Sequence, residues 1–400
     1  MPARKSAPLL TARSVQCFVP PLKMLRLALK MLYGDVAKFV MLLGGLTFCA
    51  LLMTQQSGVF CGLMLWTTST LRNIKVPIWV CDAKVEQINE VIPLRDIEVN
   101  RVRSVEGVEW AVPLFWGIIQ ARLRDGSFQP VQLTGLDSAT MVGRPARMTA
   151  GAIEDLRLPN AVIVDQIAIK KFKRKGFDLK LGDTFEINDK EARVVGICYA
   201  EQSFIGQPYI YTTYERALEY APPQRKQLGF VLVKPKDNVA EAEVVRRIRA
   251  IPGLTAFTDQ EFNDRTIDWY IKYTGIPISF GTVVLLGALV GIAIAGQTFY
   301  LFVHENVRHL AALKAMGASN TLLAEMVFLQ AFTVGTMGYG LGTGLTAIFG
   351  NIFLDVGEPP FFLPWQVLAF TGSIIVFICL FSASIGLLKV IRAEPAIVFR

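Results

Sequence analysis

The two histidines of the chain lie close together in the hexapeptide HENVRH, the one stretch whose residue types suggest metal chemistry. Zinc proteases use H-E-x-x-H, a spacing that brings both imidazoles onto one face of a helix. His304 and His309 are five positions apart, so at about 100° per residue their side chains would point about 140° apart. The chain has no third histidine. The spacing therefore argues against a zinc site.

Other catalytic signatures are missing from the sequence as well. It contains no G-x-x-x-x-G-K-[ST] segment, so the chain cannot hold ATP in a P-loop. It has no G-x-S-x-G motif, and its central part has no histidine for a Ser-His-Asp triad. Paired carboxylates such as Glu154 with Asp155 are ordinary for a solvated surface. We therefore predict no catalytic residue, no cofactor and no metal in this chain, which is not itself an enzyme.

Composition points to a protein that lies partly in lipid and partly in water. The 400 residues are 52% hydrophobic and 18% charged, with a mean hydropathy of +0.41. Residues 72–272 hold 29 Lys/Arg and 27 Asp/Glu, and the flanks hold 12 and 6. The net charge of +8 is thus mostly in the apolar flanks. That distribution suits cations beside membrane spans and excludes the concentrated basic face of a nucleic-acid-binding protein.

Four segments are long and apolar enough to span a bilayer, at residues 37–66, 276–303, 322–353 and 365–391. The first span is also compatible with an uncleaved signal anchor. Basic residues precede the first span, follow the second and close the fourth, whereas the loop after the third carries Asp355 and Glu358. By the positive-inside rule, both termini and the loop after the second span are cytoplasmic. In a double-membrane bacterium the chain then lies in the inner membrane, with its middle in the periplasm.

The predicted fold is an α-helical membrane protein with four transmembrane helices and a mixed α/β periplasmic domain inserted between helices 1 and 2. We expect a leader with an interfacial helix, four spans and the loops that join them. The boundaries are 1–36 for the leader, 37–66 for helix 1 and its stalk, 67–275 for the periplasmic domain, 276–303 for helix 2, 304–321 for a cytoplasmic coupling helix, 322–353 for helix 3, 354–364 for an outer loop, 365–391 for helix 4 and 392–400 for a cytoplasmic tail.

Alternation and turn dipeptides predict several strands in the periplasmic domain. They are 78–81, a hairpin of 110–123 with 130–136 around Asp125-Gly126, 161–164 leading into a helix capped by Asp165, a hairpin of 184–187 with 192–197, and a β-α-β unit at 230–257. The cationic run KKFKRK at 170–175 fits a solvated helix face better than a contact with anionic lipid or substrate. Cys81 and Cys198 could pair, but isolated cysteines are more often buried small hydrophobes.

Small residues recur at helical spacing in the C-terminal spans. Gly287, Gly291 and Ala295 are four residues apart in the second span, and Gly340 and Gly344 belong to a glycine-rich stretch of the third. Such spacing lets helix backbones approach closely. We predict that these residues pack helices together, in an interface that would suit a homodimer, although flexible gating would use the same residues.

The segment 302–319 joins two spans but has the pattern of an amphipathic helix. Leu310, Leu313 and Met316 recur every three residues, polar residues cluster early, and Gly317 marks the end. A loop that only reconnects two spans needs no such pattern. We therefore predict that another protein docks on this segment.

Three separated motifs resemble the MacB, FtsX and LolC family of ABC transporter permeases. LKAMGAS at 313–319 resembles the family's L-[RK]-A-[LM]-G-A-[ST], LKLGDTFEINDKEARVVGI at 179–197 resembles an L-x-x-G-D...V-V-G-I pattern, and the closing EPAIVFR is similar to D/E-P-A-x-x-x-R. The resemblance covers nearly the whole chain. Within the family it is closest to the DevC-type permeases of glycolipid exporters.

The resemblance implies a homodimer in the membrane that works with two copies of an ABC ATPase subunit, which binds the ATP. It places the contact with the ATPase on the coupling helix, at Arg308, His309, Leu313, Lys314, Met316, Gly317, Ala318 and Ser319. The family often has an acidic residue where this chain has His309. A periplasmic adaptor, an outer-membrane duct and membrane lipid are the further partners implied, and the cargo is lipid-like or hydrophobic.

Two other functions fit the same topology. One is an FtsX-like regulator that transmits ATP-driven movement to a periplasmic partner, and the other is a lipoprotein-release permease. The length of the periplasmic domain favours export, because it leaves room for both an adaptor-binding lobe and a substrate-facing lobe.

Overall fold

The computed structural model describes residues 21–222, 228–356 and 359–392. The leader cations Arg4, Lys5 and Arg13 and the EPAIVFR motif lie outside these ranges. The chain divides into two compact units. The membrane unit comprises Met1–Gly58, Phe280–Gly350 and Leu363–Arg400, and the α/β unit comprises Val59–Ser279 and Asn351–Phe362.

Four helices of the described chain are long and apolar enough to cross a membrane. A helix suits that environment because it satisfies its backbone N–H and C=O groups internally. These helices confirm the four predicted spans, and the α/β unit is inserted between the first two. They are α2 (Val36–Thr67), α9 (Ile276–Glu305), α11 (Asn320–Val356) and α12 (Trp365–Arg392), with α1 (Pro21–Gly34) before them and α10 (Val307–Ala315) between α9 and α11.

Helix α9 packs against α2 through its small residues. A Cβ placed on Gly291 would lie 2.5 Å from the Cys49 Sγ, and one on Gly287 would lie 3.3 Å from Met53. Ala295, one turn further on, is buried. The Cys49 thiol donates a hydrogen bond to the Gly287 carbonyl at 3.1 Å. The three residues thus form one helix face on which the backbones approach closely.

The glycines of α11 divide between two faces. A Cβ on Gly342 would lie 2.6 Å from the Ala50 Cβ of α2, and Gly338 likewise lies against α2. No atom of the described chain lies within 4 Å of a Cβ placed on Gly340 or Gly344. Positions two apart on a helix point about 200° apart, so alternate glycines cannot serve the same contact.

The α/β unit is built on one mixed ten-stranded sheet in the order β10-β1-β9-β2-β3-β8-β5-β7-β4, with β6 paired to β2 and β7. The helices of this unit and one 3₁₀ turn, Ile153–Arg157, join the strands. The strands are β1 Ile78–Asp82, β2 Val108–Arg122, β3 Phe128–Leu136, β4 Arg147–Ala150, β5 Ala161–Asp165, β6 Thr184–Ile187, β7 Lys190–Tyr199, β8 Tyr209–Thr213, β9 Phe230–Pro235 and β10 Leu254–Thr258; the helices are α3 Ser69–Ile74, α4 Ile97–Arg103, α5 Gln166–Arg174, α6 Tyr214–Tyr220, α7 Glu241–Arg249 and α8 Asp259–Tyr273.

Both predicted hairpins are confirmed. Strands β2 and β3 pair antiparallel around a turn in which Gly126 has a φ of 82°, and β6 and β7 pair antiparallel around Asn188 and Asp189, with φ of 51° and 59°. Two successive positive φ values are typical of the tight turn that matches strand twist. The β9-α7-β10 unit is also present, with β1 lying between its two strands.

Strand β8 was not predicted, although it is central to the sheet. All five of its residues are buried, and it pairs parallel with β3 and antiparallel with β5. Its sequence, YIYTT, shows no alternation because both of its faces are covered, and it is short. Strand β4 and the helices α4, α6 and α8 were likewise absent from the sequence prediction.

Cys81 and Cys198 are free thiols with fully buried side chains. Burial raises the pKa of both thiols well above the ordinary range. The interpretation of these residues as buried small hydrophobes is therefore confirmed, and they form no disulfide.

Asp165 is the predicted N-cap of α5 and has a second role in the fold. One carboxylate oxygen accepts the Ala168 N–H at 2.6 Å, and the other accepts the Tyr209 N–H at 3.0 Å, so the side chain joins the start of α5 to the start of β8. The side chain is fully buried. Loss of water raises its pKa to about 7, although both backbone N–H groups favour the ionised form.

This raised pKa predicts a pH dependence of stability. Between about pH 4 and pH 7 the folded chain keeps a proton on Asp165 that the unfolded chain releases, so the contribution of Asp165 falls as pH rises, by up to about 1.4 kcal/mol per pH unit. Asp165→Asn should remove that slope while lowering stability overall, since the amide cannot accept both N–H groups. Pulse proteolysis in urea of the detergent-solubilised chain at pH 5, 6 and 7 measures both effects. Equal slopes for the two proteins would contradict the assignment.

The two glycine faces of α11 give a matched pair of substitutions. Alanine favours a helix by roughly 1 kcal/mol over glycine, so Gly344→Ala should leave the stability of a single, monomeric chain in detergent unchanged or raise it. Gly342→Ala should instead lower stability by about 1–3 kcal/mol, because its methyl group must push α2 away. The thermal unfolding midpoint of the purified chain checks the difference. Equal midpoints would show that α2 does not lie against Gly342.

Candidate functional site

The segment 302–319 is built from the ends of two long helices and one short helix. Helix α9 continues through His304 to Glu305, α10 follows at Val307–Ala315, and α11 begins at Asn320. The amphipathic helix is therefore shorter than predicted. Asn306 lies between the helices, and its side-chain amide donates to the Phe302 carbonyl at 2.9 Å. His304 stacks on Tyr300 within α9, with ring centroids 6.2 Å apart.

The end of α10 is a tight turn whose form follows from its sequence. The Gly317 N–H donates to the Lys314 carbonyl at 3.1 Å, and the Ala318 N–H to the Leu313 carbonyl at 3.0 Å. This pair of bonds defines a Schellman motif, whose position after the helix favours glycine because it needs a positive φ. Gly317 has a φ of 98°. The Ser319 hydroxyl then accepts the Leu322 N–H at 3.2 Å and caps the start of α11.

These bonds assign structural roles to three of the predicted coupling residues, Gly317, Ala318 and Ser319. Together they form the turn between α10 and α11. Since the backbone groups at both helix ends are hydrogen-bonded, the backbone of the turn has little conformational freedom, and the adjacent side chains are held in place.

The remaining coupling residues divide between a buried and an exposed set. Leu310 is buried, and Leu313 packs against the same hydrophobic cluster of the membrane unit. Arg308 and His309 are exposed, and Lys314 is half-buried. Met316 belongs to the predicted apolar stripe, yet its side chain is 72% exposed. We call the set Arg308, His309, Lys314 and Met316 the turn surface.

An ion pair not predicted from the sequence lies at the ends of α2 and α9. The Lys38 ammonium pairs with the Asp35 carboxylate at 2.5 Å and with the Glu305 carboxylate. Asp35 also accepts the Lys38 backbone N–H at 3.2 Å. The i, i+3 spacing of Asp35 and Lys38 could have predicted their ion pair. The contact with Glu305 could not be predicted, because Glu305 is distant in sequence.

Helix α1 is fixed to the membrane unit by a polar contact as well as by packing. The buried Gln330 of α11 donates its side-chain amide to the Ala28 carbonyl at 2.8 Å. Ala28 and Leu32 belong to the same cluster as Leu310. The helix predicted to lie at the membrane interface is therefore packed, on at least one face, against other helices.

Among the described residues, no three His, Cys, Asp or Glu side chains are placed to hold a metal ion. His304 and His309 lie on different helices, α9 and α10. The turn surface combines cations and an exposed thioether, a set suited to contact with another protein.

Two family models match the chain. Residues 63–251 match the MacB-like periplasmic core domain, and residues 270–395 match the FtsX-like permease C-terminal domain. The second match contains α10 and the turn surface.

The chain is also similar to individual proteins and solved structures. The chain is 24% identical over 312 residues to an uncharacterized ABC transporter permease of Mycobacterium tuberculosis, in strain CDC 1551 / Oshkosh and in strain H37Rv, covering 77% of this chain and 79% of the relative.

The periplasmic region of MacB from Actinobacillus actinomycetemcomitans aligns with a TM-score of 0.37 at 16% identity, covering 51% of this chain and 96% of that one. The extracellular domain of the transporter YknZ from Gram-positive bacteria aligns with a TM-score of 0.35 at 15% identity, covering 46% and 98%.

The two family models follow one another along the chain in the order predicted from the three motifs, and they include the residues of the turn surface. The particular likeness to DevC-type permeases stays a prediction. Four apolar helices together with the two domains indicate a multi-pass inner-membrane protein with a periplasmic domain, whose partner is an ATPase. The chain thus combines a MacB-like periplasmic core domain with an FtsX-like permease C-terminal domain, and it is similar to ABC transporter permeases.

Proposed function

We propose that this chain is the permease of an ABC exporter and that its ATPase docks on the turn surface. The observation that carries the proposal is the exposure of Met316, which is 72% accessible at the end of a helix whose leucines, Leu310 and Leu313, are packed. Covering a methionine side chain stabilises a contact by about 1.5–3 kcal/mol. Arg308 and Lys314 add charge that selects a partner with acidic groups.

The distribution of cations supports a cytoplasmic position for this surface. Arg26 and Lys30 on α1 and Lys38 at the start of α2 lie at one end of the spans, as do Arg308 and Lys314. The positive-inside rule assigns that end, and both termini, to the cytoplasm. The ATPase, which needs cytoplasmic ATP, is then on the same side as the turn surface.

Packing gives a route by which ATPase movement reaches the spans. Leu310 of α10 shares one hydrophobic cluster with Leu42 and Leu46 of α2. A displacement of α10 therefore acts on α2, because close-packed side chains transmit strain. Helix α2 is continuous from Val36 to Thr67 and contributes residues to both units. The proposed mechanism is mechanical transmission from the ATPase to the periplasmic domain, without a solute pathway through the bilayer.

The spans favour a lipid-like or hydrophobic cargo. Within the four candidate spans that the structure describes, the Asp, Glu, Lys and Arg side chains are confined to Lys38, Glu305 and Glu325, which lie near span ends. A hydrophilic solute would need polar groups along its path. Cargo is then taken up from the outer leaflet or the periplasm and passed to an adaptor and an outer-membrane duct.

A second copy of the chain fits the open glycine face of α11. Among the residues that the structure describes, none lies within 4 Å of a Cβ placed on Gly340 or Gly344, and Leu341, Leu345 and Ile348 around them are exposed. Small residues flanked by larger apolar ones favour helix pairs in lipid. This face supports the proposed homodimer, which would present two turn surfaces to two ATPase subunits.

The docking proposal predicts the effect of a charge at the turn. Met316→Asp should lower affinity for the ATPase about ten- to a hundredfold, since it removes an apolar contact of about 1.5–3 kcal/mol. Met316→Leu should retain the contact. Co-purification of the ATPase with tagged permease, and ATPase activity of the complex in liposomes, measure the change.

The control for this experiment is Phe128→Asp, which places the same charge on an exposed apolar residue of the α/β unit. It should leave the ATPase bound. Undiminished co-purification with Met316→Asp would remove the docking assignment. If a periplasmic hydrolase, and not lipid, stimulates the ATPase activity of the complex, the result would favour the FtsX-like regulator.

The proposed topology predicts the compartment of two positions. Alkaline phosphatase fused after Leu136 should be active because it is exported, and green fluorescent protein fused after Ser319 should fluoresce because it stays in the cytoplasm. Fusions of the reciprocal reporters at the same positions serve as controls. The reverse pattern would overturn the orientation and the docking site together.

A further inference from the structure

An open groove of about 670 Å³ runs along helix α8 of the α/β unit. Its lining residues belong to α8, apart from the N-cap Thr258 and Glu86, which follows β1. From Thr258 to Tyr273 the helix rises about 22 Å. An extended peptide segment of about seven residues has the same length. The groove therefore has the dimensions of a site for a chain segment.

Two aromatic rings form the apolar part of the groove at the C-terminal end of α8. The ring centroids of Trp269 and Tyr273 are 6.0 Å apart, and the ring planes are inclined by 42°. The Trp269 indole N–H donates to the Glu86 carboxylate at 2.6 Å, and its ring packs edge-on against the buried Tyr270. Tyr273 is 72% exposed. Tryptophan and tyrosine are enriched among the residues that dominate the energy of protein interfaces, so this fixed pair suits a protein partner.

Carboxylates outnumber cations in the groove. Glu261 is paired at 2.6 Å with Arg249, which does not line the groove. Even when Arg249 is counted, four carboxylates face three cations. The lining carboxylates are those of Glu86, Glu261, Asp264 and Asp268, and the lining cations are Arg265 and Lys272.

Both lining cations are engaged by neighbouring groups. Arg265 donates to the Glu86 backbone carbonyl at 3.2 Å, and its guanidinium lies 5.2 Å from the centroid of the Phe257 ring. The Lys272 ammonium lies 3.5 Å from the Asp268 carboxylate, and these side chains are 64% and 65% exposed. An ion pair this exposed contributes little to stability. A cation from a partner therefore displaces Lys272 from Asp268 at small cost.

The carboxylates of Glu86 and Asp264 accept hydrogen bonds from neutral donors. Glu86 accepts the Trp269 indole N–H, and Asp264 accepts the Asn263 side-chain amide at 3.2 Å. Among the residues that the structure describes, neither carboxylate forms an ion pair, and both residues are exposed. A neutral donor leaves the full negative charge on a carboxylate. A cation placed here is attracted both by these charges and by the faces of the adjacent rings.

The spacing of the acidic side chains on α8 fits an extended chain. Glu261, Asp264 and Asp268 are three and four residues apart, so they recur along the helix axis about every 4.5–6 Å. Alternate side chains of an extended segment are about 6.6 Å apart. A segment with cations at alternate positions therefore brings successive cations to successive carboxylates. Arginine suits this site, because its planar guanidinium binds carboxylates and also stacks on aromatic rings.

We propose that the α8 groove binds an extended, arginine-bearing segment of another periplasmic protein. Its guanidinium groups contact Glu86, Asp264 and Asp268, and one of them stacks on Tyr273 beside Trp269. A small organic cation would contact only the rings and one carboxylate and would leave most of the groove open. The inference rests on the proposed function for the existence of a periplasmic partner and adds the chemistry by which that partner is recognised.

Calorimetric titration of the full-length permease in detergent tests the proposal with a blocked heptapeptide that has arginine at alternate positions and glycine elsewhere. This peptide should bind more tightly than the same peptide with citrulline, the neutral isostere of arginine. Glu86→Gln/Asp264→Asn should weaken binding of the arginine peptide about tenfold, because two charged contacts are lost. Added salt should weaken binding to the wild type, since the contacts are exposed.

The matched control is Glu215→Gln/Glu219→Gln, which removes the same charge from exposed residues of α6 outside the groove. It should bind the arginine peptide like the wild type. Equal losses in the two double variants would overturn the proposal, because they would reveal a general effect of net charge. Equal affinities of the wild type for the arginine and citrulline peptides would overturn it as well.

A second pair of variants tests the aromatic part of the groove. Tyr273→Leu keeps an apolar side chain but removes the ring face, so it should weaken binding of the arginine peptide about threefold. Tyr199→Leu, at a tyrosine that is 54% exposed outside the groove, should have no effect. Tetramethylammonium should fail to displace the peptide at an equal concentration of cationic groups. Complete displacement would identify a site for small organic cations and overturn the docking of a chain segment.

The turn surface separates this proposal from the export function. Met316→Asp should bind the arginine peptide normally, since Met316 takes no part in the groove. Selective peptide binding by a permease whose complete complex moves no lipid would refute export and support the groove. Lipid movement by a complex whose permease binds the arginine and citrulline peptides equally would refute the groove and support export.

Discussion

The membrane unit depends on the close packing of α2 between two glycine-containing helix faces. Adjacent residues of α2, Cys49 and Ala50, lie against Gly291 of α9 and Gly342 of α11 at distances that exclude a β-carbon. In lipid the hydrophobic effect does not drive helices together, so packing and backbone approach must do so. The proposed transmission from α10 requires this arrangement, because only a tightly held α2 responds to its neighbours as one body.

The turn between α10 and α11 combines rigidity with exposure. Its backbone is bonded through the Schellman motif at Gly317 and the cap at Ser319, while Met316 between α10 and that glycine lies in the open. A partner that covers Met316 loses little conformational entropy, since the turn is ordered before contact. The LKAMGAS motif thus contains the residues that form this turn and, in the proposed docking site, the one exposed apolar side chain.

In the α/β unit, one buried carboxylate is linked to the position of a cationic helix face. The buried Asp165 accepts hydrogen bonds from backbone N–H groups of α5 and β8, and Lys170, Lys171 and Arg174 of the same helix line a cavity of about 380 Å³ in the α/β unit. The cap that begins α5 therefore also sets the direction of its cationic face. Once the first turn of a helix is fixed, the regular helical geometry also fixes the direction of its later side chains.

The sequence by itself determined the four spans, the insertion of the α/β domain, the two hairpins around Asp125-Gly126 and Asn188-Asp189, and the family. These features depend on local hydrophobicity, turn chemistry and short motifs, which a linear pattern records. Only the tertiary structure decided that Gly342 packs while Gly344 is open, that YIYTT is a central strand, that Met316 is exposed while Leu313 is packed, and that part of KKFKRK lines a cavity. Periodicity shows which residues share a face, but the neighbour that covers the face comes from a distant part of the chain.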